Sequence, residues 1–186
     1  MQVKSAMANE WRESLHTTKG ALYARIKGVD EHGQTAWHEE EYLDRGRGAL
    51  RIGGQWKLRM RCYSVELNAT RHMEHRLASP LCTVCDARED ESFAHFLLHC
   101  SLYNTIAERK LMIDAAMKAA AHAHRLHISR KPRSLSDATT TPRTWGDMND
   151  DEHVIFLLRA PCAVDYYLRA FLAKAFTLRA QAITRK

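Results

Sequence analysis

Residues 82–100 read Cys82-Thr-Val-Cys85-Asp-Ala-Arg-Glu-Asp-Glu-Ser-Phe-Ala-His95-Phe-Leu-Leu-His99-Cys100, a C-x2-C-x9-H-x4-C pattern. Two thiols three residues apart suit a tight turn that directs both sulfur atoms at one point. A histidine and a third cysteine on the following apolar segment can then complete a tetrahedron around Zn²⁺. A C-x2-C pair alone would also suit a redox site, and the second half-site favours a metal. The stretch therefore predicts a closed structural zinc site that stabilises the fold.

The fourth ligand of this site depends on the local helix geometry. In a straight α-helix His95 and His99 share a face, whereas Cys100 points about 140° away from His95. A site made of Cys82, Cys85, His95 and His99 is therefore an alternative. We favour Cys100, because thiolate binds zinc well and because the helix could bend or stop there. His99 would then be an outer or surface histidine.

A wider pattern surrounds the metal motif. It comprises a Leu58-Arg59 to Leu67-Asn68 run, the C-x2-C pair, an acidic spacer at 88–91, the His-Phe-Leu-Leu-His-Cys segment and Arg109. This order resembles the zinc-binding domain that lies C-terminal to the polymerase in non-LTR retrotransposon reverse transcriptases. The likeness covers about residues 50–115. It implies a helical zinc module that engages a template or target on behalf of a reverse transcriptase.

The chain is basic, with a net charge of +6 and a pI near 9.2, which favours a polyanionic partner. Between residues 45 and 76 eight basic residues stand against two acidic ones. Arginine predominates there, and Trp56 and Tyr63 are interleaved, as is typical of phosphate and base contacts. We predict phosphate-dominated binding of nucleic acid, RNA being favoured over DNA. The candidate contacts are Arg45, Arg47, Arg51, Lys57, Arg59, Arg61, Arg71, Arg76, Arg130, Lys131 and Arg133.

Length and composition limit the class of protein. The 186 residues, of which 45% are hydrophobic and 27% charged, suffice for a globular domain with its own core. The longest apolar run is too short to span a membrane, so no membrane partner is expected. Five cysteines, three of them in one motif, suit metal thiolates in a reducing compartment better than disulfides. We expect an intracellular protein of the nucleus or the mitochondrion.

Hydrophobic periodicity predicts a mainly α-helical fold, a small helical domain organised by one CCHC-type zinc site, with a long C-terminal helix. We expect an N-terminal helical segment and loop over 1–45 and a zinc-binding helical core over 46–127. Residues 128–150 contain Pro132, Pro142 and Gly146, which is typical of an irregular linker, here a basic one. Residues 151–186 carry an apolar stripe that predicts an amphipathic helix packing on the core. Docking of that helix on another protein subunit is the alternative.

Two features of residues 45–67 leave the secondary structure open. Glycines 46, 48, 53 and 54 predict a flexible segment from Arg45 to Gln55. From Trp56 to Leu67 the apolar pattern fits both a strand and a helix. The resemblance implies a helix, which we favour.

The sequence carries no recognisable catalytic motif. Tyr42-Leu-Asp44-Arg45 lacks the second aspartate of a polymerase Y-x-D-D motif, and G-x-S-x-G, HExxH and P-loop patterns are missing. We therefore predict a non-catalytic, zinc-stabilised nucleic-acid-binding module. The alternative is a structural subunit of a large ribonucleoprotein such as a ribosome, mitochondrial ribosomes included, with a retroelement-derived fold.

Overall fold

The computed structural model describes residues 47–61, 81–129, 143–159 and 162–184. These residues are mainly helical, as predicted, and they contain no β-strand, only an isolated bridge between Leu81 and Asp90. The predicted segment 1–45 and linker residues 130–142 lie outside this description. The α-helices are α1 (Ala49–Arg61), α2 (Ala107–Ser129), α3 (Asp150–Arg159) and α4 (Cys162–Thr184). A π-helix (His95–His99) and two 3₁₀ helices (Ser101–Thr105 and Trp145–Asp147) complete the elements.

Helix α4 lies at the centre of the described fold and packs against both α1 and α2. Helix α4 packs on the core through five apolar residues that are fully buried: Val164, Leu168, Phe171, Leu172 and Ala175. The aromatic ring of Phe96 from the metal motif lies 5.0 Å from that of Phe176 and 6.0 Å from that of Phe171. The motif is therefore built onto the same core as α4. None of the helices in the described ranges is both long enough and apolar enough to cross a membrane.

The predicted flexibility of residues 45–55 is wrong from Ala49 onward, because α1 begins there and includes Gly53. A Cβ atom at Gly53 would lie 1.9 Å from the carbonyl oxygen of Arg169, so glycine lets the backbones of α1 and α4 approach. The indole of Trp56 stacks on Phe176 with ring centroids 3.8 Å apart. Close backbone contact and ring stacking hold the glycine-containing helix in place.

The segment before α3 is more regular than the predicted linker. Thr144 and Asp147 form a capping box at the short 3₁₀ helix. Asn149 caps α3, since its Oδ1 accepts a hydrogen bond of 2.9 Å from the Glu152 N–H, and the Glu152 carboxylate accepts one from the Asn149 N–H. The region predicted as one C-terminal helix thus contains two helices, α3 and α4. The two hydrogen bonds between Asn149 and Glu152 fix the first turn of α3.

Candidate metal centre

Four side chains of the predicted site meet at one point. The sulfur atoms of Cys82, Cys85 and Cys100 and a ring nitrogen of His95 all lie within 4.8 Å of one another. The Sγ atoms of Cys82 and Cys100 are 4.0 Å apart, and Cys85 Sγ is 3.3 Å from His95 Nε2. Sulfur ligands about 2.3 Å from a tetrahedral Zn²⁺ would be roughly 3.8 Å from each other. The cluster therefore has the size of a site for one ion, and its three cysteines are free thiols.

The first two thiols sit on a closed turn. The backbone N–H of Cys82 donates a 2.8 Å hydrogen bond to the carbonyl of Glu89, beside the bridge between Leu81 and Asp90. Arg88, just before the closure, adopts a left-handed conformation with φ of 52°. The chain thus returns on itself, which places the acidic spacer beside the thiols.

The third residue of the cluster, His95, follows a helix start at Ser92. The Ser92 hydroxyl accepts a 3.0 Å hydrogen bond from the His95 N–H, and its carbonyl accepts one of 2.9 Å from the Phe96 N–H. His95 is 2% exposed, so the imidazole is directed inward. The cap therefore fixes the backbone at His95.

A π-turn brings Cys100, the fourth member, into the cluster. The Cys100 N–H donates a 2.7 Å hydrogen bond to the His95 carbonyl, five residues back, which widens the turn compared with an α-helix. Cys100 then leaves the helix with φ −58° and ψ 121°. The wider turn places His95 and Cys100 on the same side, which a straight helix would not. The alternative ligand His99 lies outside the cluster, where it is exposed and its Nε2 is 2.8 Å from Asp150 Oδ2.

Arg109 braces this π-turn from α2. Its guanidinium donates hydrogen bonds to the Leu97 carbonyl (3.1 Å), the Cys100 carbonyl (2.8 Å) and Asn104 Oδ1 (2.7 Å). Arg109 is 5% exposed, so these bonds replace the water that it loses. The arginine that the resemblance placed after the motif thus binds backbone carbonyl groups at the C-terminal end of the π-turn.

Two carboxylates of the acidic spacer form an outer layer around the ligands. Glu89 Oε2 lies 2.8 Å from His95 Nδ1, so the opposite ring nitrogen faces the thiols. Glu91 Oε1 lies 3.7 Å from Cys82 Sγ, and the same carboxylate forms an ion pair with Arg179 of α4. Burial raises the pKa of Glu91, and the Arg179 guanidinium opposes that rise. In the sequence the acidic residues of the spacer are alike, and the helical pattern does not identify Arg179 as the partner of Glu91.

The metal-free thiols differ in acidity. Burial raises the pKa of Cys100 to about 12 and also raises the pKa of Cys82. For Cys85 burial acts in the same direction, but hydrogen bonds from the Ala87 backbone and from the other three ligands lower its pKa overall. A metal binds thiolate, so it must displace protons from the two buried thiols.

The candidate nucleic-acid contacts fall into three groups. Arg47, Arg51 and Arg59 are exposed. Lys57 and Arg61 are 2% and 6% exposed, so their prediction as phosphate contacts is wrong. Both lie on the face of α1 that meets α4, where Lys57 Nζ is 2.5 Å from Asp165. The remaining six lie outside the described residues: Arg45, Arg71, Arg76, Arg130, Lys131 and Arg133.

The exposed arginines share one side of α1. Arg51, Gln55 and Arg59 are spaced four residues apart, which aligns them along the helix, and all three are exposed. The Arg59 guanidinium lies 4.9 Å from the centroid of the Trp56 ring, a cation–π contact. Together with Arg47 before the first turn, these residues form what we call the arginine row of α1 (Arg47, Arg51, Gln55 and Arg59).

No protein-family model, curated protein or solved structure matches this chain. The functional argument therefore depends on the side chains themselves. Among the described residues, Cys82, Cys85, His95 and Cys100 are the one group of at least three His, Cys, Asp or Glu side chains close enough to share a metal ion.

Proposed function

We propose that Cys82, Cys85, His95 and Cys100 hold a structural Zn²⁺ and that the chain is a non-catalytic nucleic-acid-binding module of the kind found in reverse transcriptases. The observation that carries the proposal is the convergence of three thiols and one imidazole nitrogen within 4.8 Å. Sulfur and nitrogen donors in a tetrahedral arrangement suit Zn²⁺, whereas Ca²⁺ and Mg²⁺ take oxygen ligands. Four protein ligands leave no open position for a reactive water.

The ion would join two short segments that have little regular structure of their own. One is the Cys82–Cys85 turn, and the other is the π-turn from His95 to Cys100. Binding energy at such a site contributes directly to folding. The core residues Phe96 and Leu97 lie between two ligands and are buried, so metal binding would also fix their place beneath α4.

The metal proposal is tested by elemental analysis of the purified full chain and by titration with Co²⁺, whose thiolate bands report tetrahedral coordination. We expect one zinc per chain in the wild type and in His99→Ala. Cys100→Ser should lose most of the bound metal. A chain purified without metal that also fails to bind added Zn²⁺ would refute the proposal, as would a Cys100→Ser variant that binds like the wild type.

The arginine row of α1 is the surface that we propose for nucleic acid. Guanidinium groups bind phosphate through paired hydrogen bonds, and rows of exposed arginine release counterions when they meet a polyanion. The row lies on helix α1, which the Trp56–Phe176 stack packs against α4, so the positions of its side chains are fixed relative to the core. The motif's likeness to a reverse-transcriptase domain supports RNA as the favoured partner.

Binding to RNA and DNA oligonucleotides at several salt concentrations tests this surface. Replacing Arg47, Arg51 and Arg59 by Gln should weaken binding and reduce the salt slope by about one for each phosphate that the variant no longer neutralises. The matched control replaces three exposed basic residues of α2, Lys110, Lys118 and Arg125, by Gln. If both triple variants weakened binding equally, net charge alone would explain the binding. That result would contradict a specific role for the arginine row of α1.

A further inference from the structure

Arg179 links the C-terminal helix to the metal centre. It is 5% exposed, and its guanidinium forms an ion pair with Glu91, whose side chain is 1% exposed. The same carboxylate lies 3.7 Å from the sulfur of Cys82. A continuous line of contacts therefore runs from a proposed ligand, through one carboxylate, to α4.

The negative charges of the proposed site and of Glu91 explain why a buried cation is needed beside them. Three thiolates outweigh the two positive charges of Zn²⁺, so the loaded site keeps a net negative charge. Glu91 adds a further buried negative charge beside Cys82. Buried charge without compensation is costly, and Arg179 supplies the opposite charge on the side of α4.

We propose that Arg179 is a positioning residue of the metal centre, and that metal binding and the docking of the C-terminal half of α4 are coupled through its ion pair with Glu91. The coupling rests on the proposed metal site. It is reciprocal: removal of Arg179 weakens metal binding, and removal of the metal loosens the end of α4. The C-terminal helix is thus part of the metal centre although it supplies no ligand.

Arg169 provides a matched control on the same helix. It is 6% exposed and forms an ion pair with Asp165, with Nε and Oδ2 2.9 Å apart. Asp165 in turn pairs with Lys57, so this second buried cluster lies on the α1 side of α4. Replacing either arginine disturbs a buried ion pair, but only Arg179 pairs with the carboxylate beside Cys82.

The test measures Zn²⁺ affinity by chelator competition in the full-length wild type, Arg179→Met, Arg169→Met, Glu91→Gln and the double variant Glu91→Gln/Arg179→Met. We expect Arg179→Met to bind Zn²⁺ at least tenfold more weakly than Arg169→Met. The double variant should regain most of that affinity, because the carboxylate that needs compensation is gone. If Arg179→Met does not fold, Arg179→Lys keeps the charge and should retain affinity within a few fold of the wild type.

Hydrogen exchange gives the reciprocal measurement. Removing zinc from the wild type should speed amide exchange in residues 175–184 more than in residues 163–172. An equal change along the whole helix, or equal affinities of Arg179→Met and Arg169→Met, would overturn the coupling while leaving the metal site intact. A wild type that binds no metal would instead refute the proposed function itself.

Discussion

His95 Nδ1 lies 2.8 Å from Glu89 Oε2, while Nε2 on the other side of the ring lies 3.3 Å from Cys85 Sγ. One imidazole is thus held between a carboxylate and a thiol. When the Nδ1 N–H donates a hydrogen bond to Glu89, the proton stays on Nδ1 and Nε2 has a lone pair for a metal. The carboxylate therefore selects the tautomer that a metal ligand needs.

Glu89→Gln should weaken zinc binding by about 10- to 100-fold, because the amide is a poorer acceptor for the Nδ1 proton. Chelator competition on the purified protein measures the change. Asp90→Asn is the matched control. Asp90 is the exposed acidic neighbour of Glu89, and it contributes to the turn through its backbone bridge to Leu81. A control variant whose affinity falls as far as that of Glu89→Gln would contradict a specific role for the Glu89 carboxylate.

The stability of the metal-free protein should fall at alkaline pH. The ordinary pKa of the Cys100 thiol is 9.0, and burial raises it to about 12 in the folded chain. A raised folded pKa means that the neutral thiol stabilises the fold below about pH 9 and that this contribution is lost as the pH rises towards 12. Denaturation in a chelator from about pH 7.5 to about pH 10.5 should show this decrease in stability.

The zinc-loaded protein provides the comparison for that series. Its thiols are already deprotonated by the metal, so its stability should change less over the same range. Zinc affinity should rise with pH, because fewer protons must then be displaced from Cys82 and Cys100. Metal-free and loaded proteins with the same alkaline profile would contradict the assignment of these thiols as ligands.

Gly53→Ala should destabilise the fold by roughly 1–3 kcal/mol, since the added methyl group would meet the Arg169 carbonyl at 1.9 Å. Thermal or chemical unfolding measures the difference. Gly146→Ala is the control, because a Cβ there meets no atom within 4 Å. Elsewhere in a helix alanine is favoured over glycine, so a stabilising Gly53→Ala would show that α1 and α4 are not in close contact.

Asp165→Asn should cost about 3–5 kcal/mol of unfolding free energy, because two buried cations, Lys57 and Arg169, lose their shared counter-charge. Glu108→Gln is the control: it breaks the ion pair with Lys174, whose side chain is 57% exposed. Surface pairs of that kind contribute about 0–1 kcal/mol. Similar destabilisation in the two variants would argue against a buried charge cluster.

The sequence predicted the composition of the metal cluster but not the geometry that completes it. Cysteine and histidine spacing indicated the four residues, whereas regular helix geometry left His99 and Cys100 as competing ligands. The choice depends on a π-turn whose carbonyls are bound by Arg109, a contact between α2 and the motif. Local propensity carries no information about such a tertiary contact.

The charge pattern of α1 likewise does not predict which of its basic residues are exposed. Arg59 and Arg61 are the same residue type two positions apart, yet Arg59 is exposed and Arg61 is buried. Which of them faces solvent depends on how the helix is rotated against α4, and that rotation follows from Gly53 and Trp56. In the sequence Gly53 predicts flexibility, whereas in the fold it allows the close approach of α4, a contact that only the second helix reveals.

The contact between α1 and α4 also dictates an order of events during protein synthesis. Lys57 and Asp165 are 108 positions apart, and a ribosome adds about 5–20 residues per second. Roughly 5–20 seconds therefore pass between the emergence of the first helix and that of the helix that covers it. During that interval Trp56 and Met60 have left the ribosome, whereas the helix that they pack against in the folded core has not yet been made.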